Sequence, residues 1–329
     1  MRYILLLSLF LTITINALAQ AGQQWITNAS GVRARSTSAT TGEEVVRLPI
    51  GTVLKQLDNE QRAGQVNNKG DYWYHFALPN GKDGWVFGAF ITRFDENKRG
   101  EIYKTIAATK VKAEEASFAE YADLLRFLTA AIPEVTDRAT LAELELWRWV
   151  ALQKAFEKIP VDKLQQAEYQ RFIKTHQANA VYSEPGGIWL VKADLLWNLQ
   201  KKNADLPIAD TIAWEAANLP LPGECEGDDT CYTMYLNQTK AKYLQLHPNG
   251  KHVNEALDTL LEAYQGINEQ MKNVATPKGN SKEDQQIRKD ALAAITKMRT
   301  NLAQVSHPKK TKLMQLLAQY EKNYLPAKK

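Results

Sequence analysis

The stretch that most restricts this chain is DYWYHFALPNGKDGWVFGAF, residues 71–90. Two aromatic-rich runs flank PNGKDG, and Asn80-Gly81 is a dipeptide that tight hairpin turns favour, because their central residues take positive φ. The chain must build antiparallel sheet here. Alternation then sorts the rings: Tyr72, Tyr74 and Phe76 share one face of the first strand, Trp73 and His75 the other. Phe76 and Val86 are the expected core members. Trp73 and Trp85 are the expected groove residues, since an indole offers a wide flat face and one N–H donor. The bland alternative is that both indoles cover the mouth of the sheet or dock on other parts of the chain. His75 has no Cys or carboxylate near it at metal-ligand spacing and reads as a packed or solvated side chain.

The neighbouring sequence extends the β pattern. GVRARS alternates Val32 and Ala34 with Arg33 and Arg35, giving one apolar and one basic face. Val45–Leu48 and Val53–Leu57 are β-prone runs separated by Pro49-Ile50-Gly51, a turn signal. About five short strands therefore precede residue 95, with no helical period between them. A small closed barrel accommodates them, because closure removes exposed edges.

Residues from about Trp25 to Phe94 resemble the bacterial SH3-like domain. The resemblance rests on GVRARS, LPIGTVL, YWYHF and NGKDGWV, in that order and spacing. It implies a small barrel that binds cell-wall peptides or mediates protein contacts beside another domain. Arg35, Tyr72, Trp73 and Trp85 are the candidate ligand contacts. Family members commonly carry a Pro after the first strand; STSATTG has none here, which predicts a looser first loop.

From Glu101 the period changes to that of helices. TLAELELWRWVALQKAF opens with Thr140 and Glu143 in capping-box spacing, and its apolar residues cover more than half of its circumference. Further helices are expected at VDKLQQAEYQRFIKTHQ, IWLVKADLLWNLQKK, LPIADTIAWEAANL, CYTMYLNQTKAKYLQL, HVNEALDTLLEAYQGINEQM and, after a Ser281/Asp284 cap, SKEDQQIRKDALAAITKM, with a last one near KLMQLLAQYEKNY. Residues 243–264 resemble the joint of a tetratricopeptide-like helix pair, without a second copy at a fixed period. The expected architecture is a signal peptide at 1–19, a barrel at 20–95 and an all-α part of about seven helices at 101–325.

The segment before the barrel supports the first of these. Arg2 precedes an apolar run from Ile4 to Ile15, too short for the roughly 20 residues of a membrane-spanning helix. Ala17-Leu18-Ala19 supplies small residues for cleavage between Ala19 and Gln20. No Cys follows as a lipid acceptor, and no later segment is apolar enough to span a membrane. A secreted or periplasmic protein is expected. Its net charge of +4 is spread thinly along the chain, which argues against a nucleic-acid partner.

An exported chain whose only cysteines are Cys225 and Cys231 is expected to pair them. A loop this short gives about 2.4 kcal/mol by chain-entropy arithmetic. The sharper alternative is zinc on Cys225, Cys231, His247 and His252, but finger sites prefer two to four residues between the cysteines. Glu224, Glu226, Asp228 and Asp229 lack the alternation and Gly of a calcium loop. No cofactor is expected.

The resemblance to SH3-like modules, which often accompany wall hydrolases, also raises an enzymatic alternative. The sequence has no H-E-x-x-H, G-x-S-x-G, Walker loop or GxGxxG. Glycosidase carboxylates are paired only in space, so Glu143/Glu145 and Glu114/Glu115 stay open for an alternative wall hydrolase, although both pairs read as solvated helix faces. The first expectation is a non-catalytic binding or scaffold protein of the cell envelope, contacting a cell-wall peptide or an envelope protein. A purely structural protein whose barrel packs on its own helices is the third possibility.

Overall fold

The computed structural model describes residues 22–272 and 281–325, so the expected signal segment and its Ala19–Gln20 junction lie outside the described residues. The chain divides into two compact units, Met1–Lys158 and Ile159–Lys329. The first unit combines sheet and helices.

Its strands are β1 (Gln24–Thr27), β2 (Val32–Arg35), β3 (Glu44–Leu48), β4 (Val53–Val66), β5 (Lys69–Ala77), β6 (Asp83–Phe87) and β7 (Ile91–Arg93). They form one curled antiparallel sheet in the order β3-β2-β6-β5-β4-β1-β7. The outer strands β3 and β7 do not pair with each other, so the expected closed barrel is a half-barrel. The concave face holds Trp25, Val32, Ala34, Leu48, Leu54, Phe76 and Val86, matching the alternation read from the sequence. The Trp25 indole N–H donates to Gln56 Oε1 at 2.9 Å, satisfying a polar atom that would otherwise be costly to bury. Asn80-Gly81 turns the β5–β6 hairpin, with Gly81 at φ +80.

The largest departure from the expected strands is β4. It runs for 14 residues and pairs with β5 out to Val66↔Lys69. Asn67 and Asn68 join the two strands with φ of +49 and +62, the pattern of a tight primed turn. A bulge between Gln56 and Gln61 separates the core part of β4 from this extension. Most residues beyond Gln56 are exposed, so no buried face imposes the alternation by which a strand is recognised.

Three helices complete the unit: α1 (Arg99–Val111), α2 (Phe118–Ala131) and α3 (Arg138–Glu157). Helix α3 starts a turn earlier than predicted, because Asp137 is the cap and accepts from Thr140 N at 2.8 Å. The helices hold the sheet through its β3–β4 turn. Ile50 N donates to Asp123 Oδ2 at 2.9 Å, and Arg126 reaches the Ile50 carbonyl at 3.3 Å. Phe94, Tyr103 and Phe127 form a run of rings, stacked at 6.1 Å and then edge-on at 5.2 Å, that links the end of the sheet to α1 and α2.

The second unit contains α4 (Ala167–His176), a hairpin of β8 (Ala180–Ser183) and β9 (Ile188–Val191), α5 (Ala193–Lys202), α6 (Ile208–Asn218), α7 (Asp229–Gln238), α8 (Lys240–Leu246), α9 (Val253–Gln270), α10 (Lys282–Asn301) and α11 (Pro308–Lys322). IWLV is therefore a strand, not the start of a helix, and Tyr182 packs across from Trp189 at 5.5 Å. The helix predicted over CYTMYLNQTKAKYLQL breaks at Thr239 into α7 and α8. The helical remainder thus holds more and shorter elements than the seven expected. The α8–α9 joint is held by Asp210 of α6, which accepts from Tyr243 Oη at 2.7 Å and from Lys251 N at 3.0 Å. Among the described residues no helix is long and apolar enough to cross a membrane.

Candidate functional site

The candidate ligand residues all stand on the sheet, but not as one open groove. The β5–β6 register sets Trp73 opposite Phe87 and His75 opposite Trp85. These four side chains occupy the face away from the core, as the alternation required. Trp73 and Trp85 are nonetheless buried, at 3% and 8% exposure, in a second cluster with Phe87. The two indoles expected to line a surface groove are thus covered, as in the alternative in which they close the mouth of the sheet.

The cause is the unforeseen β4 extension. Val66 packs on the cluster, and Gly64 lies so close to Trp73 that a Cβ there would come within 2.5 Å of the indole nitrogen. Arg62 covers the Trp85 ring with its guanidinium carbon 5.2 Å from the centroid. On Trp85, His75 stacks at 4.9 Å. Tyr72 is 48% exposed and belongs to neither cluster.

His75 has partners that linear spacing concealed. Its Nδ1 lies 2.9 Å from Asp58 Oδ2 and its Nε2 2.9 Å from Asp83 Oδ2. Burial opposes the imidazolium, but the two carboxylates outweigh it and hold the His75 pKa above its ordinary value. Asp58 feels burial in the opposite sense, yet its bonds to His75 and to the Glu60 backbone N–H leave its pKa lowered. Asp58 sits inside the β4 bulge, which carries the carboxylate round to the imidazole.

Arg35 on β2 is half-buried and donates from Nη1 to the Gly42 carbonyl at 2.6 Å. That bond, with Ser36 N to Glu43 O at 2.9 Å and Glu43 N to Ser36 Oγ at 3.1 Å, ties down the loop expected to be loose for want of a Pro.

Arg35 and Trp73 also meet in a cavity of about 740 Å3. Its aromatic lining is Trp73, Phe87 and Phe90; its cations are Arg33, Arg35, Lys69 and Lys110; its one carboxylate is Glu120. Trp85 and Tyr72 do not line it. Glu120 is committed to the α2 cap, where its Oε2 accepts from Ser117 N and Ser117 Oγ at 2.8 Å each. The volume is that of a small-molecule or short-peptide site, and the lining combines flat apolar rings with an excess of positive charge. Phe87, Phe90, Lys69 and Lys110 were missed in the sequence. Phe87 and Phe90 were visible as aromatics of the opening stretch; Lys69 and Lys110 belong to no motif and meet only through the fold.

The remaining candidates resolve differently. Cys225 and Cys231 form the expected disulfide, with sulfurs 2.05 Å apart. The zinc alternative therefore loses its thiolates. Its histidines are engaged elsewhere: His247 Nε2 lies 3.3 Å from Gln200 Nε2, and His252 stacks on Trp214 at 4.5 Å. Glu114 and Glu115 lie in the connection after α1, not in a helix, and Glu143 pairs with Lys104 at 3.8 Å.

No family model matches the chain, and no curated protein matches it. Among solved structures, one described by the words "Computational Design of Self-Assembling Cyclic Protein Homooligomers" is similar at 13% identity, over 70% of this chain and 93% of its own, with a TM-score of 0.21. At that score the likeness carries no argument.

Proposed function

We propose that this chain is an exported, non-catalytic binding protein of the bacterial cell envelope, and that its N-terminal half-barrel takes a cell-wall peptide or a peptide segment of an envelope protein. The observation that carries this reading is the cavity of about 740 Å3, in which Trp73, Phe87 and Phe90 supply apolar contact and four cations supply charge. Rings of this kind give contact area at low entropic cost, and cations fix the orientation of a polar main chain or its terminus. The resemblance of residues 25–94 to the bacterial SH3-like domain points to the same ligand class.

The test is binding of soluble wall fragments to the mature chain, followed by tryptophan fluorescence or calorimetry. Saturable binding is expected, together with a loss of about 10-fold or more in Phe90→Ala, since truncating a central aromatic anchor typically costs at least 1–2 kcal/mol. The same mixtures should release neither reducing ends nor new amino groups. Steady turnover would instead place the chain among wall hydrolases, and absence of binding to any wall fragment or envelope extract would end the reading.

A further inference from the structure

Lys110 stands apart from every other cation around the cavity. It lies in the last turn of α1 and is half-buried. It lines three concavities at once: the main cavity, a trough of about 520 Å3 beside α1, and a smaller hollow of about 190 Å3 beside α2. Arg33 is paired with Glu44 at 3.3 Å, Arg35 is bonded to the Gly42 carbonyl, and Lys69 lies 6.0 Å over the Phe90 ring. Lys110 has neither an ion pair nor a hydrogen bond to its ammonium among the described residues. Glu120, the one acid of the main cavity's lining, holds its hydrogen bonds at the α2 cap, and Glu101 lines the trough.

We propose that Lys110 is the anchor for a single carboxylate, the free C-terminus of a short peptide whose apolar side chains lie against Phe87 and Phe90 and along the neighbouring trough. This deepens the proposed function and rests on it. The charge of the anchor and the shape of the lining favour this occupant. The half-buried Lys110 ammonium has no bonded partner among the described residues, and a single carboxylate matches its one charge. The trough shares Asn28, Ala89 and Lys110 with the main cavity and continues along Ile102 and Ile106, so an apolar body can extend from the anchored end.

The state of Lys110 without ligand agrees. Burial lowers its pKa; Glu120 acts against that fall, and Lys69 adds to it by like-charge repulsion. A carboxylate arriving at Nζ would relieve this penalty, because an ammonium already partly stripped of water binds an anion at reduced desolvation cost.

The probes are N-acetylalanylalanine and its C-terminal amide, each titrated against the mature full-length chain. We expect the acid to bind about 10- to 100-fold more tightly than the amide, the range for a hydrogen bond to a charged group. Lys110→Met, which keeps most of the aliphatic stem, should erase that preference, and Lys110→Arg should restore most of it; melting curves check that both variants fold. If Lys110→Met does not fold, Lys110→Gln takes its place. Equal affinity for acid and amide overturns the inference, as does a preference that survives removal of the charge. Wall fragments that bind with no acid preference sink this inference and leave the binding reading standing. A chain that binds neither dipeptides nor wall fragments sinks both.

Discussion

Gly51 shows how closely the half-barrel is fitted to its own helices. It turns the chain from β3 to β4 at φ +84, and a Cβ there would come 2.2 Å from Phe127 Cδ2. A side chain at this position meets two obstacles, the left-handed backbone and a buried ring. Gly51→Ala should therefore destabilise the chain by about 2–4 kcal/mol, from roughly 1 kcal/mol of backbone strain and about 1–3 kcal/mol of overpacking. Denaturant melts check this, and Phe127→Leu in the same chain should recover part of the loss. Independent, additive losses would show that the ring is not the obstacle. The glycine was readable as a turn residue from Pro49-Ile50-Gly51. Its second duty was not, because Phe127 is far along the chain and only the packing of α2 brings it there. Lys110 is the same case at the candidate site: a lysine near the end of a helix looks like solvated charge until the fold surrounds it.

Among the elements, the β4–β5 hairpin decides what becomes of the aromatic face. Strands with a core side were legible, since Val32, Ala34, Phe76 and Val86 fell where alternation put them. The hairpin extension was not, because DNEQRAGQV has little buried face to leave a pattern. Without that extension Trp73 and Trp85 looked like surface residues; with it they are covered. The hairpin also places Asp58 against His75, and this has a pH signature. The folded-state pKa of His75 is raised, so its contribution to stability is complete below the unfolded value of about 6.5 and is lost as pH climbs through the higher folded value. Asp58 is lowered, so its share is present above the unfolded value of about 3.9 and disappears as pH falls through the folded one. Melting temperature followed from pH 5.5 to 8.5 should decline through the upper part of that range, and His75→Gln should flatten the decline. Parallel curves for the two proteins would show that the clamp adds nothing to stability. In the second unit, β8 and β9 escaped notice because four contiguous apolar residues, IWLV, fit a buried strand and a helix turn equally well.

For the whole molecule, the disulfide is the feature with the widest reach. Cys225 and Cys231 are the only cysteines in the chain, so their union leaves it without a thiol. Thiol titration of denatured, unreduced protein should give none, and reduction should expose two. Reduction should also lower stability by at most about 2.4 kcal/mol, because the bridge closes a short loop and constrains few conformations of the unfolded chain. A protein that carries two titratable thiols as purified would contradict this. Such a chain survives in an oxidising compartment and gains there, in keeping with the export expected from its first residues.

The pairing of β1 with β7 has a consequence for how the chain is assembled. Phe94 N bonds to the Gln24 carbonyl at 2.9 Å, and Trp25 sits opposite Arg93. The sheet-forming stretch is thus a closed excursion that departs from and returns to one spot. During synthesis the half-barrel stays incomplete until its final strand has emerged, since its most sequence-distant ladder closes last and carries the greatest loop-closure cost. A new opening cut at Asn80-Gly81, with the first and last strands spliced, would preserve the strand neighbours while rotating the order in which they are made, β6 and β7 now preceding β1.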